Sequence, residues 1–108
     1  MSGDKFKIIV YVPVDHAENV REAAFAVGAG TIGQYTRVAF TSSGTSCFTP
    51  NAQANPAIGK PGVEEVVQEV KIEITAVGRE VVRQAVERIR KVHPYEEVVV
   101  DVYRLEDF

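Results

Sequence analysis

Two segments of helical periodicity in this sequence are separated by two strand-like segments. Val70, Ile72 and Ile74 alternate with charged residues, the period-two pattern of a half-buried strand. Val82 and Ile89 belong to an apolar stripe at helical spacing. The pattern predicts strands at 5–12, 34–41, about 66–77 and 97–104, and helices at 15–27 and about 79–92. The resulting order, β-α-β-β-α-β, strongly limits the folds open to the chain.

This order matches a ferredoxin-like βαββαβ sandwich of the α+β class, in one domain over residues 1–108. Both helices are expected on one face of a four-stranded antiparallel sheet. Because βαβ crossovers are right-handed, strand one and helix two end at the same edge of the sheet. We therefore expect His16, the 42–62 loop and the segment 93–97 to converge there, with the glycines of 28–33 at the opposite edge.

The segment 28–33 contains the glycine spacing G-x-G-x-x-G of a dinucleotide-binding loop. In such a loop the glycines end a strand and begin a helix, whose N–H groups face the phosphates. Here they follow a helical pattern, for which Asp15 is the expected N-cap and Glu18 the partner in a capping box. Gly28 stands where a C-cap glycine belongs, so the motif predicts a helix stop followed by strand two. The residues expected to have structural roles in this and the later motifs are Gly28, Gly30, Gly33, Tyr35 and Pro94.

The segment 42–62 is expected to be a long loop with a short strand-like island at 45–49. It is rich in glycine, proline, asparagine, serine and threonine. A connection of this length inside a small domain is usually functional or disordered.

The charge balance argues against several classes of partner. The formal net charge of −3 gives no overall attraction to nucleic acid or to an anionic membrane. Arg83 and Arg88 of the second helix are interleaved with Glu80 and Glu87, which is typical of a solvated helix surface. We expect no nucleic-acid or membrane partner. A single cysteine and the lack of a secretory pattern near Met1 predict a cytoplasmic protein.

Three segments stand out together in the chain: Gly28–Tyr35, then Phe48–Pro50 with Asn55–Gly59, and finally His93–Glu97. In this order they resemble the small domain inserted in YqfO-like members of the dinuclear-metal-centre hexamer family, and the similarity extends from about Phe6 to Leu105. The inserted domain is similar to the PII and CutA proteins, which are ferredoxin-like and usually trimeric. The resemblance therefore implies a homo-oligomer, either a trimer or a dimer.

The resemblance also implies that no cofactor is required. In the family, His, Asp and Glu side chains of large flanking domains hold two metal ions, and those domains lie outside the region of similarity. We therefore expect a stand-alone module without the metal chemistry. In PII-like proteins the long loop and the turn before strand four frame an effector site, and the matching positions here are 42–62 and 93–97.

The expected ligand-binding residues lie at this edge of the sheet. They are His16, Cys47, His93, Tyr95 and Glu96. His93, Glu96 and His16 are also candidate ligands of a divalent metal, although their spacing matches no recognised metal site. Residues 93–95 have a structural explanation too, because Pro94 ends the helix, imposes extended geometry on its predecessor and lets Tyr95 pack.

Catalytic residues are not expected. Ser42, Ser43, Ser46 and Cys47 face the expected histidine edge, but nucleophilic catalysis also needs an aligned base and an orienting group.

Three functions are compatible with these features. The first is a non-enzymatic PII/CutA-like module that binds a ligand or a partner and forms a homo-oligomer through its exposed sheet face. On that face Ile9, Tyr11 and Val99 are apolar for a surface left in water. The second is a metal-dependent hydrolase of a small phosphorylated or nucleotide substrate. The third is a recruitment partner of a separate metal-binding protein.

Overall fold

The computed structural model describes residues 3–108 and has the expected order of strands and helices. The elements are β1 (Lys5–Pro13), a 3₁₀ turn (Val14–His16), α1 (Ala17–Phe25), β2 (Phe40–Phe48), β3 (Glu65–Val77), α2 (Arg79–Val92) and β4 (Val100–Leu105). The four strands form one antiparallel sheet in the order β2-β3-β1-β4. The predicted ferredoxin-like fold is confirmed.

The core lies between the two helices and one face of the sheet. Strand pairing places Ile8 opposite both Ile74 and Val102, and the alternating apolar residues of β1 on this face, Phe6, Ile8, Val10 and Val12, are all buried. Val20 of α1 and Ile89 of α2 are fully buried in the same cluster. The predicted bounds of β3 and α2 agree with the structure to within one residue.

The start of the first helix differs from the expectation. Residues Val14–His16 form a 3₁₀ turn directly after Pro13, so α1 begins only at Ala17 with His16 as its N-cap. No side chain caps the helix, and the predicted roles of Asp15 and Glu18 in a capping box are wrong. The tight turn places Asp15 one residue too early to serve as the cap.

The end of the first helix confirms that the glycine motif is a helix stop. Gly28 has a φ of +98°, its N–H donates to the carbonyl of Phe25, and the N–H of Ala29 donates to the carbonyl of Ala24. This pair of bonds is the Schellman motif, with Gly28 in the left-handed position that glycine favours.

The second glycine of the motif attaches the segment after α1 to the sheet. Gly30 has a φ of +83°, its N–H donates to the carbonyl of Thr75 in β3 at 2.9 Å, and its carbonyl accepts from the N–H of Val38 at 2.8 Å. A β-carbon at Gly30 would lie 2.9 Å from both the Phe25 ring and the Val38 carbonyl, so the position is closed to larger residues. The expectation that Gly30 belongs to a helix stop leading directly into strand two is therefore corrected: Gly30 packs closely against other elements. Gly33, with a φ of +56°, lies in a turn.

This glycine segment lies at the end of the sheet opposite the turn 93–97, as predicted. Thr75, which accepts from Gly30, is in register with Lys7 near the start of β1. Tyr11, whose carbonyl contacts the ring of His93, lies near the other end of that strand.

The predicted bounds of strand two are wrong, and so are those of the long loop. Strand β2 is Phe40–Phe48, so the irregular connection covers residues 49–64 rather than 42–62. Residues 34–39 cannot pair as a strand, because Ile32 and Tyr35 exchange backbone hydrogen bonds across a turn and Arg37 has a φ of 59°. The serine-rich segment pairs instead with β3, from Phe40 opposite Glu73 to Phe48 opposite Glu65.

The other face of the sheet carries no helix. Strand β4 starts at Val100, three residues later than predicted, and Val99 before it is 55% exposed. Ile9, which was expected on a surface left in water, is instead 6% exposed, and its neighbours in register are Glu73 and Asp101. Tyr103 on the same face is 55% exposed.

Neither helix in the described range 3–108 has the length and apolar character needed to cross a membrane.

Candidate functional site

His93 occupies a buried position where α2 ends and the chain returns toward the sheet. Its backbone is extended, as the following Pro94 requires. The ring Nε2–H donates to the carbonyl oxygen of Tyr11 at 2.7 Å, and Nδ1 accepts from the N–H of Tyr95 at 3.1 Å. Both ring nitrogens are therefore engaged by the backbone, and this arrangement requires the neutral tautomer that carries its proton on Nε2.

Burial lowers the pKa of His93 below its usual value, against opposing contributions from the Tyr11 carbonyl and the charge of Glu69. The charge of His16 makes a smaller contribution that also lowers the pKa of His93. Protonation of His93 at Nδ1 would also point that N–H at the N–H of Tyr95, and the hydrogen bond between them would be lost. The histidine therefore acts as a neutral structural link between β1 and the turn 93–97.

Tyr95 is held in place by a buried carboxylate. Its hydroxyl donates to Oε2 of Glu69 at 2.6 Å, and the hydroxyl of Ser46 donates to Oε1 of the same residue at 2.6 Å. Glu69 is 5% exposed, so this carboxylate depends on its two donors to offset the cost of desolvation. Burial and the bond to Glu69 raise the pKa of the Tyr95 hydroxyl far above its usual value, which keeps it a donor.

The Tyr95 ring forms one wall of an open cleft of about 310 Å³. The Phe48 ring lies 6.0 Å from it, between centroids, at an angle of 59°. The cleft lies between the end of β2, the following loop and the turn 93–97. Its lining is Phe48, Thr49, Pro50, Ala54, Pro56, Ala57, Ile58, Tyr95, Glu96 and Glu97.

The loop that forms the other wall is tied down by hydrogen bonds. The side chain of Asn51 accepts from the N–H of Gln53, an Asx turn, and the N–H of Gly62 donates to the carbonyl of Pro50. The N–H of Asn55 donates to Oε1 of Glu96 at 2.9 Å, which links the loop to the opposite wall. These bonds give the cleft a defined shape without regular secondary structure.

The expected site residues are brought together only in part. Tyr95 and Glu96 line the cleft, and His93 lies behind it with its ring centroid 5.0 Å from that of Tyr95. Cys47 is exposed on the opposite face of β2 from Ser46 and Phe48, because successive strand residues alternate. Cys47 and His16 are not among the residues that line the cleft.

The residues of this edge do not fit a metal centre. Across residues 3–108, no group of three or more His, Cys, Asp or Glu side chains is arranged to hold a metal ion. Both nitrogens of His93 already have backbone partners, and the lone pair on Nδ1 accepts the N–H of Tyr95, so it is not directed at a metal. The hydroxyl of Ser46 donates to the carboxylate of Glu69, which also accepts the hydroxyl of Tyr95, so this serine is not paired with a histidine.

Three residues of the site were not recognised as such from the sequence. In the sequence Phe48 stands out only as part of a motif, Ser46 only as one of several loop hydroxyls without an aligned base, and Glu69 only as a charged residue that alternates with apolar ones in β3. Ser46 and Glu69 are separated by 23 positions, and Glu69 and Tyr95 by 26. A glutamate in an alternating strand looks solvated in sequence, and only the turn 93–97 folding over it makes it buried.

Sequence comparison relates the chain to one part of longer proteins. It is 45% identical over 100 residues to a GTP cyclohydrolase 1 type 2 homolog of Halalkalibacterium halodurans, which covers 93% of this chain and 27% of the relative. The Bacillus subtilis protein of the same name is 43% identical over 100 residues, covering 93% and 26%. The chain spans about a quarter of the length of these curated relatives. No family model matches it.

Solved structures with the same fold fall into two groups. A Bacillus cereus protein related to NIF3 superposes with a TM-score of 0.82 at 38% identity, over 99% of this chain and 27% of that one. The periplasmic divalent cation tolerance protein CutA of Archaeoglobus fulgidus has a TM-score of 0.68 at 13% identity, over 96% of this chain and 86% of that one. GlnK of Bacillus subtilis gives 0.60 at 16% identity, covering 95% and 86%. The likeness to CutA and GlnK concerns the fold alone.

Proposed function

Because this chain is homologous to one segment of the NIF3-related proteins and has the fold of CutA, we propose that it is a CutA/PII-like binding module without catalytic machinery of its own. Its binding site is the cleft between the loop at 49–58 and the turn 93–97. Its assembly is a homo-oligomer built through the helix-free face of the sheet.

The observation that carries the binding role is the pre-organised aromatic wall of the cleft. The Tyr95 ring is restrained by the bond of its hydroxyl to Glu69, the bond of its N–H to His93, and its packing against Phe48. A rigid wall binds at lower entropic cost than one that must order on binding. Ligand sites are typically apolar clefts of this size with a few polar groups at the rim.

A metal-dependent hydrolase has less support from this site. The chain spans about a quarter of the relatives named for cyclohydrolase activity. The cleft lining contains neither a histidine nor a cysteine, and its two carboxylates are on adjacent residues, Glu96 and Glu97. Glu96 already accepts the N–H of Asn55. The chemistry of this set favours holding a ligand over cleaving one.

Filling the cleft tests the binding role. Ala57 is exposed and lines the cleft, so Ala57→Phe should occupy it with little cost to the fold. Benzyl alcohol and indole, as small neutral probes, should shift the amide NMR signals of residues around the cleft in the parent protein and not in Ala57→Phe. Ala52→Phe is the matched control, since Ala52 is exposed in the same loop but does not line the cleft.

Equal shifts in the parent protein and in Ala57→Phe would contradict the proposal. So would shifts that map to the helix surfaces and leave the signals of Asn55 and Tyr95 unmoved.

A further inference from the structure

We propose that the cleft selects organic cations with an apolar body, such as a primary or quaternary ammonium attached to a hydrocarbon group, over neutral and anionic ligands. This inference rests on the proposed binding role and specifies its ligand class. It follows from the aromatic and charged groups that surround the cleft.

The first argument is the pair of aromatic rings. Phe48 and Tyr95 both line the cleft, with their planes tilted by 59° and their centroids 6.0 Å apart. The faces of such rings carry partial negative charge and attract an ammonium group placed within about 6 Å. Pro50, Pro56 and Ile58 supply apolar surface for the hydrocarbon part of the ligand.

The second argument is the sign of the charges. Glu96 and Glu97 line the cleft, and Glu69 accepts the hydroxyl at the tip of the Tyr95 side chain. The carboxylate of Glu65 lies against Gly59 in the same loop, where an added β-carbon would meet its Oε2 at 3.2 Å. Within residues 3–108, none of these four carboxylates has a cationic side chain within 4.0 Å.

The third argument is the absence of positive charge from the lining as the structure describes it. No lysine, arginine or histidine is among the residues that line the cleft. Lys60 follows it in the loop and is exposed, while Arg90 donates to the carbonyl of Val98 at 3.4 Å. A phosphate or carboxylate ligand would therefore meet several negative charges without a paired donor cation, which disfavours anions.

Three probes of one shape test this selectivity. Benzylamine is protonated at pH 7, benzyl alcohol is neutral and benzoate is an anion. At low salt we expect benzylammonium to bind at least about five-fold tighter than benzyl alcohol. Two unit charges 4 Å apart in water attract each other by about 1 kcal/mol, which corresponds to about a five-fold change in the dissociation constant. Benzoate should bind weakest. Amide NMR titration of the parent protein measures all three dissociation constants, and added salt should reduce the advantage of the cation.

Single substitutions then assign the effect to the cleft. Glu97→Gln removes one exposed rim charge and should reduce the preference for the cation over the alcohol. Glu106→Gln removes an exposed carboxylate near Lys5 and Gly33, at the other end of the sheet, and should leave the preference unchanged. Phe48→Leu should weaken binding of benzylammonium more than binding of benzyl alcohol.

Equal affinity for the amine and the alcohol overturns the cation preference and leaves the binding role intact. Tighter binding of benzoate than of benzylammonium also overturns the cation preference. So does a Glu97→Gln variant that prefers benzylammonium over benzyl alcohol as strongly as the parent protein does. If none of the three probes shifts the cleft signals, the binding role and the cation preference fail together.

Discussion

At the scale of single residues, the site depends on polar groups that are buried and satisfied. His93 is 7% exposed and Glu69 is 5% exposed, and hydrogen bonds engage both ring nitrogens of the first and both carboxylate oxygens of the second. An unsatisfied buried polar group costs about 1–3 kcal/mol. Within the described residues, no buried side-chain nitrogen or oxygen lacks a partner.

The lowered pKa of His93 predicts a pH dependence of stability. As pH falls through the ordinary histidine value of 6.5, the unfolded chain takes up a proton that the folded chain resists. The contribution of the neutral ring is therefore present above that pH and lost below it. Urea unfolding should show a smaller decrease in the free energy of unfolding between pH 7 and pH 5 for His93→Gln than for the parent protein.

His16→Gln is the control, because His16 makes only the smallest of the contributions to the lowered pKa of His93 and is half-buried at the start of α1. Its stability should follow the parent profile more closely. Parallel profiles for the parent protein and His93→Gln would contradict the assignment of a neutral buried ring.

At the scale of elements, the helix stop depends on local backbone conformation, whereas the strand that follows it depends on long-range pairing. The Schellman turn at Gly28 is local and depends on one residue with positive φ. Strand β2 depends on a partner far along the chain, since its serine and glycine residues have weak strand preference and β3 supplies the ladder.

Two glycine substitutions distinguish the cost of a positive φ at the helix end from the effect of an added side chain in β2. A β-carbon at Gly28 would meet no atom within 4 Å, so the cost of Gly28→Ala comes from its φ of +98° alone. We expect a loss of about 1–2 kcal/mol in the free energy of unfolding. Gly44→Ala in β2 also enters open space, but with strand geometry, and should leave stability unchanged or raise it by up to about 1 kcal/mol.

Chemical denaturation of the two variants beside the parent protein measures both effects. Equal stability of Gly28→Ala and Gly44→Ala would show that backbone conformation at the helix end is not limiting.

At the scale of the whole molecule, the fold is a single layer of helices on a sheet whose other face is open. The molecule is elongated, with extents of 50 × 24 × 24 Å. The open face has aromatic and charged side chains of both signs, including Tyr103 in register with Lys7, and Glu73 and Asp101 on either side of the buried Ile9. Such a surface can complement a second copy of itself.

The proposed assembly predicts a concentration-dependent oligomer that Tyr103→Asp weakens. Tyr103 is 55% exposed on the open face, and a carboxylate buried there on assembly costs at least about 1 kcal/mol without a partner. The dissociation constant should rise about five-fold or more. Light scattering or sedimentation over a micromolar range measures it.

Val92→Asp is the control, since Val92 is 40% exposed near the end of α2, on the helix side of the sheet. It should leave assembly unchanged. A parent protein that stays monomeric at micromolar concentration would refute the oligomer.

The amphipathic patterns in the sequence determined much of the architecture. Strand β3 and helix α2 were predicted to within one residue, because Ile72 and Ile89 belong to regular apolar stripes whose period is a property of the segment itself. The order of elements then led to the fold, and Pro94 and Gly28 marked helix ends through their own backbone preferences.

Tertiary structure alone decided where β2 lies, which glutamate is buried, what Gly30 packs against and what lines the cleft. Each depends on groups far apart in the chain. Strand β3 pairs with residues 40–48 and accepts the N–H of Gly30, and the turn 93–97 covers Glu69. The physical reason is that strand pairing and desolvation are set by neighbours in space. The sequence around a serine or a glutamate is the same whether its side chain is hydrogen-bonded to water or to a distant residue of the folded protein.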